Sequence, residues 1–158
     1  MKRKTICLIP ARGGSKRIKN KNVKKFFGKP LLQRVIENAK KSKLFDSIYV
    51  STDSVFIKKM AIRCGALVPY IRSKKLSNDH AIISSVIDDF IDKVILIKKE
   101  KINIFVLYPT SIFVDKKLLI KCNKMLKETE YVTALKKFPH PIQRALKFNK
   151  NKLEPLNL

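Results

Sequence analysis

Residues 10–22 read Pro10-Ala11-Arg12-Gly13-Gly14-Ser15-Lys16-Arg17-Ile18-Lys19-Asn20-Lys21-Asn22, a stretch whose residue types suit a polyphosphate. Adjacent glycines let the backbone turn its N–H groups toward one point with no Cβ in the way. Arg12, Lys16 and Arg17 set positive charge around that point, Ser15 adds a hydroxyl donor, and Lys19–Asn22 continue in basic and amide character. Two common phosphate fingerprints are absent. No Gly-x-Gly-x-x-Gly occurs, and Gly28-Lys29 runs into Pro30 with no glycine at the P-loop spacing before it. By residue type alone, Gly13-Gly14-Ser15-Lys16 also suits a plain surface turn in a lysine-rich protein.

Other residues with chemical potential are scattered. Asp53 follows the run Ser47–Ser51, Arg72 follows Leu67–Ile71, and Tyr108-Pro109-Thr110-Ser111 follows Ile102–Leu107. Asp53 reads as a helix cap or, less readily, a ligand. Arg72 reads as a site residue or a surface ion-pair partner, and Tyr108 as a strand-end core aromatic or a ligand-facing ring. His80 and His140 have no evident acid partner, and Asp88, Asp89 and Asp92 read as a solvated helix face.

The elements that must position these residues alternate. Thr5-Ile6-Cys7-Leu8-Ile9 is a short apolar run of buried-strand type. Lys29-Pro30 opens a helix with Leu31, Leu32, Val35, Ile36 and Ala39 at helical spacing through Lys41. Ser47–Ser51 is a second strand, and a helix with Ile57, Met60, Ala61 and Cys64 on one face stops at Gly65. Leu67–Ile71 is a third extended run. Ser77-Asn78-Asp79 precedes a long helix with Ile83, Val86, Ile87, Phe90, Ile91 and Val94 inward. Ile102–Tyr108 is a strand, Asp115 caps a helix ending near Lys127, and Tyr131–Leu135 is a further strand. A short run at Arg144–Phe148 and a turn at Asn149-Lys150-Asn151 close the pattern. Alternation of this kind implies a parallel sheet covered on both faces, with ligands beyond the carboxyl ends of its strands. That rule gathers Arg12–Asn22, Asp53, Arg72 and Tyr108–Ser111 on one rim.

At 158 residues the chain is one domain by length, residues 1–158. Its net charge of +24 invites a nucleic-acid reading, but the excess is lysine, with seven arginines, and it is spread over every segment. Specific nucleic-acid binding is therefore not expected. Cys7, Cys64 and Cys122 are odd in number and offer no zinc or disulfide spacing, which fits a reduced cytoplasmic compartment. No apolar run is long enough for a membrane span.

The chain resembles the acylneuraminate cytidylyltransferase family of CMP-sugar synthetases. The resemblance lies in Ile9-Pro10-Ala11-Arg12-Gly13-Gly14-Ser15-Lys16-Arg17-Ile18 followed by Lys21-Asn22, Gly28-Lys29-Pro30-Leu31 and Ser51-Thr52-Asp53. It continues in Arg72 with Leu76-Ser77-x-Asp79, Tyr108-x-Thr110-Ser111 and Glu154-Pro155-Leu156-Asn157-Leu158. Ser15–Asn22, Phe26-Phe27, Tyr108 and Pro141–Ala145 resemble the pseudaminic acid branch, and the closing Glu154–Leu158 the sialic acid enzymes.

The resemblance implies a three-layer α/β/α, Rossmann-like fold of glycosyltransferase-A type with a mostly parallel sheet. It implies CTP and a nonulosonic acid (pseudaminic or sialic) as substrates, CMP-sugar and pyrophosphate as products, Mg²⁺ as cofactor and a homodimer. It implies that Ala11, Arg12, Gly13, Gly14, Ser15 and Lys16 hold the triphosphate. Lys21 and Asn22 would meet the α-phosphate and nucleotide, Arg72 the nucleotide, and Tyr108, Gln143 and Arg144 the sugar acid. Arg12, Lys16 and Lys21 are the expected catalytic cations, and no metal ligand is assigned within the chain.

The sequence departs from the family pattern in three places. Ala81-Ile82-Ile83 stands where hydroxyl residues usually meet the nucleotide, and Ser84 and Ser85 are out of phase on a helix by about 100° per residue. Ile112 replaces a proline usual in sialic acid members. Family members continue beyond the position of Leu158 with an arginine-bearing segment, a dimerisation arm and a magnesium-binding aspartate pair. The expectation is therefore a C-terminally truncated domain, active or a nucleotide-binding remnant.

Overall fold

The computed structural model describes residues 3–96, 102–135, 146–149 and 152–155. The central strand is β1 (Lys4–Pro10), flanked by β4 (Ser47–Ser51) and β5 (Ile102–Val106) in the order β4-β1-β5, all parallel. Two short strands, β2 (Lys25–Phe26) and β3 (Lys29–Pro30), form an antiparallel hairpin, and β6 (Leu146–Asn149) pairs with β7 (Lys152–Pro155). The helices are α1 (Leu31–Ser42), α2 (Val55–Arg63), α3 (Ile83–Phe90) and α4 (Lys116–Met125).

Because successive strand residues face opposite ways, β1 feeds two cores. Cys7 and Ile9 pack with Leu32, Val35, Ile36 and Ala39 of α1, Ile57 and Ala61 of α2, and Leu119 of α4. Ile6 and Leu8 pack with Tyr49, Phe90, Val94 and Ile95 on the other face. The result is three layers, helix–sheet–helix, with β1 apolar from Ile6 to Ile9 because both faces are covered. Leu32, Val35 and Ile36 are wholly buried, each contributing about 1.5–3 kcal/mol. Burial also pushes the Cys7 thiol up to about 12, so it sits in the core as a small neutral apolar group.

Local chemistry sets the element ends. Phe27 (φ 46°) and Gly28 (φ 79°) take successive left-handed positions, the two-residue turn that matches hairpin twist. Arg34 of α1 pins that turn by donating from Nε to the Phe26 carbonyl at 2.6 Å and from Nη2 to that of Phe27. Pro30 occupies the N-cap with extended ψ, so the helix begins at Leu31 rather than at Lys29-Pro30. Ser54 caps α2 by accepting the Ile57 amide at 3.3 Å, and Gly65 (φ 83°) ends the turn beyond it. Asp115 caps α4 by accepting the Leu118 amide at 2.8 Å.

Three expectations change. Leu67–Ile71 is not a full strand: it touches the sheet at two isolated bridges, Tyr49–Leu67 and Thr52–Ile71, with Pro69 between them unable to donate to a ladder. The long helix after Asp79 begins at Ile83 with no side-chain cap and passes into a π-helical turn, Ile91–Ile95. Tyr131–Leu135 forms no strand: among the described residues nothing pairs with it, and Tyr131 and Leu135 are exposed. Part of the Arg144–Phe148 run and of the Asn149–Asn151 turn falls on the β6–β7 hairpin, and the remainder lies outside the described residues. Among the described residues no helix is long and apolar enough to cross a membrane.

Candidate functional site

From β1 the chain passes to β4 on one side and later to β5 on the other. The carboxyl end of β1 is therefore the switch point of the sheet, where a crevice opens. A cleft of about 890 Å³ lies there, lined by residues that include Arg12, Ser15, Lys16, Arg17, Lys21, Asn22, Arg72, Asp79 and Tyr108. Seven of the sequence-predicted site residues thus converge: Arg12, Ser15, Lys16, Lys21, Asn22, Arg72 and Tyr108. Ala11, Gly13 and Gly14 do not line this cleft. Ala11 is buried, its amide continuing the sheet by donating to the Ser51 carbonyl at 2.9 Å. Gln143 and Arg144 lie outside the described residues.

The loop after β1 is braced from below. Gly13 donates its amide to Asp53 Oδ1 at 2.8 Å, and Ser15 donates its amide to the Gly13 carbonyl at 3.0 Å. Asp53 is therefore neither the cap of α2, which is Ser54, nor a carboxylate facing the cleft; it holds the glycine turn against the end of β4. A Cβ on Gly13 would lie 3.2 Å from the Ser54 Cβ, whereas one on Gly14 would meet nothing within 4 Å. A side chain at the first glycine would press on the Ser54 cap of α2, whereas the second glycine faces open space.

Asn22 is buried at the foot of the cleft, where its Nδ2 donates to the Arg12 carbonyl at 2.8 Å. Its Oδ1 has no hydrogen-bond partner. An unpaired buried acceptor costs free energy on the order of 1–3 kcal/mol, which a ligand donor would recover. Asn20, in the left-handed region at φ 55°, turns the chain into the short 3₁₀ segment Lys21–Val23 that presents Lys21 and Asn22 side by side.

Arg72 is buried rather than a surface ion-pair partner. Its amide donates to the Thr52 carbonyl at 2.8 Å, and its Nε donates to Ser77 Oγ at 3.0 Å. Desolvation lowers the affinity of its guanidinium for the proton, and the nearby Asp53 charge works against that loss. Beside it, Tyr70 donates to Asp89 Oδ2 at 2.6 Å, Lys93 Nζ reaches Asp89 Oδ1 at 2.5 Å, and Lys93 also lies 4.6 Å from the centroid of the Tyr70 ring. Burial, then the Asp89 hydrogen bond, raises the Tyr70 phenol and keeps it neutral. Asp89 is thus a latch between the 67–72 segment and α3, not a solvated charge; Asp88 and Asp92 do stand in solvent.

Among the described residues the acidic side chain lining the cleft is Asp79, which the sequence places in the Leu76-Ser77-x-Asp79 segment with no role assigned. It bridges Arg12 Nη2 at 2.7 Å and Lys16 Nζ at 2.5 Å. The signal for it was the Leu76-Ser77-x-Asp79 segment, but only the fold brings that segment across from the glycine loop. On the wall nearby, Ala81, Ile83 and Val86 line the cleft while Ser84 and Ser85 do not, so this side is apolar where hydroxyls were expected to be missing. Tyr108 stands half-exposed at the mouth.

The described residues of the cleft do not by themselves fit a resident magnesium ion. Among the described residues no group of three or more His, Cys, Asp or Glu side chains converges. Asp53 is committed to the Gly13 amide and Asp79 to two cations. What the arrangement can do is bind a multiply charged anion: among the described residues five cations line one cleft with a single carboxylate among them.

Comparison with known proteins identifies the family and the fold. The sequence profile of a family described as Cytidylyltransferase matches residues 6–154. The pseudaminic acid cytidylyltransferase of Campylobacter jejuni is 38% identical over 152 residues, covering 94% of this chain and 65% of that protein. The CMP-N,N'-diacetyllegionaminic acid synthase of Legionella pneumophila is 41% identical over 113 residues, covering 68% of this chain and 47% of that protein. This chain therefore spans 65% or less of the length of these relatives. A solved CMP:2-keto-3-deoxy-manno-octonic acid synthetase, complexed with CTP, superposes with a TM-score of 0.66 at 21% identity over 80% of this chain and 48% of that one, a likeness of fold. The chain belongs to the cytidylyltransferase family.

Proposed function

We propose that this chain binds CTP in the cleft at the end of β1 and transfers its cytidylyl group to a nonulosonic acid of the pseudaminic or sialic type, releasing pyrophosphate. The observation that carries the reading is the convergence of Arg12, Lys16, Arg17, Lys21 and Arg72 on one cleft beside the unpaired Oδ1 of buried Asn22. The match to the Campylobacter pseudaminic acid cytidylyltransferase covers nearly all of this chain and favours that branch. The reading places the protein in the cytoplasm, where CTP is found.

In this reading the anomeric hydroxyl of the sugar acid attacks the α-phosphorus and releases its proton to solvent. The bond from that phosphorus to the bridging oxygen breaks, and negative charge grows on the departing pyrophosphate. Arg12 and Lys16 meet that charge, Lys21 meets the α-phosphate, and Asn22 and Arg72 hold the nucleoside side. Part of the gain comes from Arg12 and Arg72 being held before the reaction, by the Asn22 clamp on the Arg12 backbone and the Ser77 contact to Arg72. Tyr108 at the mouth would face the sugar acid. Mg²⁺ remains an expectation of the family, and no step is assigned to it.

The test is pyrophosphate release from CTP, with Mg²⁺ in the assay, and with pseudaminic or N-acylneuraminic acid as acceptor. Release with either acid supports the reading, and none with both refutes turnover. A second reading, nucleotide binding without turnover, is favoured by the commitment of Asp53 and Asp79 to other partners. It predicts thermal stabilisation by CTP with no pyrophosphate released.

A further inference from the structure

We infer that Asp79 is an internal counterion for the Arg12–Lys16 pair, occupying it when no phosphate is there and giving way to the terminal phosphates of a ligand, so that pyrophosphate is held less tightly and leaves more readily. The inference rests on the polyphosphate reading of the cleft.

The geometry is that of a phosphate mimic. One carboxylate oxygen meets Arg12 Nη2 at 2.7 Å and the other meets Lys16 Nζ at 2.5 Å, while Arg12 Nη1 donates to the Asn78 carbonyl at 2.8 Å. A phosphate presenting two oxygens would need the same two nitrogens. A carboxylate and a phosphate on the same two nitrogens would share their donors and repel each other, so the more highly charged phosphate displaces the carboxylate.

Asp79 is built to be the one that leaves. Its side chain is 35% exposed and that of Lys16 81%, which makes the pair weak and open to water. Its segment does not depend on it for support. Asn78 Oδ1 accepts the amides of His80 and Ala81 at 2.9 and 2.8 Å, and Asn78 Nδ2 donates to the Lys75 carbonyl at 2.9 Å. Ser77 Oγ donates to the Ser73 carbonyl at 2.9 Å and accepts from Arg72. The carboxylate can swing out while the loop stays folded. Asp53 is the contrast: part-buried beneath the loop on the Gly13 amide, it has no such freedom.

The consequence is a matter of populations. If Asp79 occupies the pair most of the time, the phosphate-ready state is the minor one, and apparent affinity falls by that fraction. Five cations around pyrophosphate would otherwise make a product trap. Exchanging one anion for another at Arg12–Lys16 removes part of that gain while leaving Arg17, Lys21 and Arg72 to capture the incoming triphosphate.

The experiment is calorimetric titration with inorganic pyrophosphate at fixed ionic strength on the parent chain, Asp79→Asn and Asp88→Asn. Asp88 is an exposed carboxylate of α3 away from the cleft, so its variant carries the same change in net charge. Thermal melts confirm that each variant is folded, with Asp79→Ser as a second replacement. The expected result is that Asp79→Asn tightens pyrophosphate binding by about three- to tenfold, an effect of exposed-pair size. Asp88→Asn should leave it nearly unchanged, and the gain should vanish when Arg12→Ala is combined with Asp79→Asn. Equal tightening by both aspartate variants overturns the inference, since a general field would explain it. So does unchanged or weaker binding in Asp79→Asn, which would make Asp79 a strut for Arg12. If the parent binds pyrophosphate and Asp79→Asn gains nothing, only this inference fails; if neither binds it, the polyphosphate reading fails as well.

Discussion

Asn22 and Arg12 are tied through the backbone: the buried amide of Asn22 donates to the Arg12 carbonyl at 2.8 Å and leaves its own Oδ1 unpaired beside the cleft. One side chain thus fixes where the Arg12 guanidinium originates and keeps one buried acceptor without a partner in the wall of the cleft. Asn22→Ala removes both, and we expect a stability loss of about 1–2 kcal/mol together with weaker CTP binding. Asn22→Asp keeps an acceptor but sets a carboxylate against the Arg12 carbonyl and the ligand phosphates, so it should lose more CTP affinity than the alanine variant. Chemical denaturation and CTP titration check both, and equal CTP affinity in all three proteins would refute the role given to Asn22.

Arg12 itself should matter more to rate than to folding. Its side chain is partly exposed and its ion-pair partner Asp79 is on the surface, so Arg12→Ala should melt close to the parent temperature. Removing one charge-stabilising donor from the cleft should lower pyrophosphate release by about 10²–10³-fold. Steady-state kinetics with CTP in excess make the measurement, and a loss below tenfold would move Arg12 out of the reaction.

Arg72→Lys is the discriminating change at the nucleotide side. Arg72 is buried and its Nε reaches Ser77 Oγ, a contact that a lysine ammonium, a point charge on a longer flexible stem, does not reproduce. We expect CTP affinity to fall about tenfold although the charge is conserved, in line with the worth of a charged hydrogen bond. Full retention of CTP affinity in the lysine variant would show that charge alone suffices.

The two adjacent glycines should separate. Gly13→Ala places a methyl group 3.2 Å from Ser54 Cβ and 3.8 Å from Asp53 Oδ1, tighter than the turn accepts without a shift. It should cost about 1–3 kcal/mol and loosen the Gly13–Asp53 hydrogen bond. Gly14→Ala meets nothing within 4 Å and should be neutral or nearly so. Parallel melts of the two variants decide the matter.

Acid should find the Asp89 latch. Burial pulls the Asp89 carboxyl upward, but the hydrogen bonds from Lys93 and Tyr70 outweigh it and hold the group below the ordinary aspartate value. A carboxyl depressed in the folded state contributes stability that is whole above the ordinary value, about 4, and is lost as pH falls through the lower folded value. The parent should therefore lose melting temperature more steeply below about pH 4 than Asp89→Asn does. Asp79, held low by Lys16 and then Arg12, acts in the same direction in both proteins and cancels from the comparison. Parallel acid slopes would remove Asp89 from the latch.

Much of this molecule is legible in residue order. Apolar runs of strand length alternating with helical periodicity specify a covered parallel sheet, because both faces of β1 must find apolar partners. The run from Arg12 to Asn22, placed directly after β1, specifies where the cation-lined cleft lies, because the carboxyl end of a central parallel strand is where a crevice opens. Local chemistry also names several ends correctly, among them the Asp115 cap and the Gly65 stop.

What residue order could not decide are the pairings made by segments far apart along the chain. Asp53 looked like a cap, and only the approach of the Gly13 loop to the end of β4 makes it the acceptor for that amide, 40 residues away. Asp79 had a place in a motif but no partner, and only the return of its segment across the cleft, 66 residues on from Arg12 at neighbouring Asn78, sets its carboxylate on Arg12 and Lys16. Tyr131–Leu135 has strand-forming composition but no neighbour among the described residues to pair with. Propensity and periodicity are local quantities, whereas the partner of a charge or of a strand edge is chosen by how the layers pack, and that choice belongs to the tertiary structure.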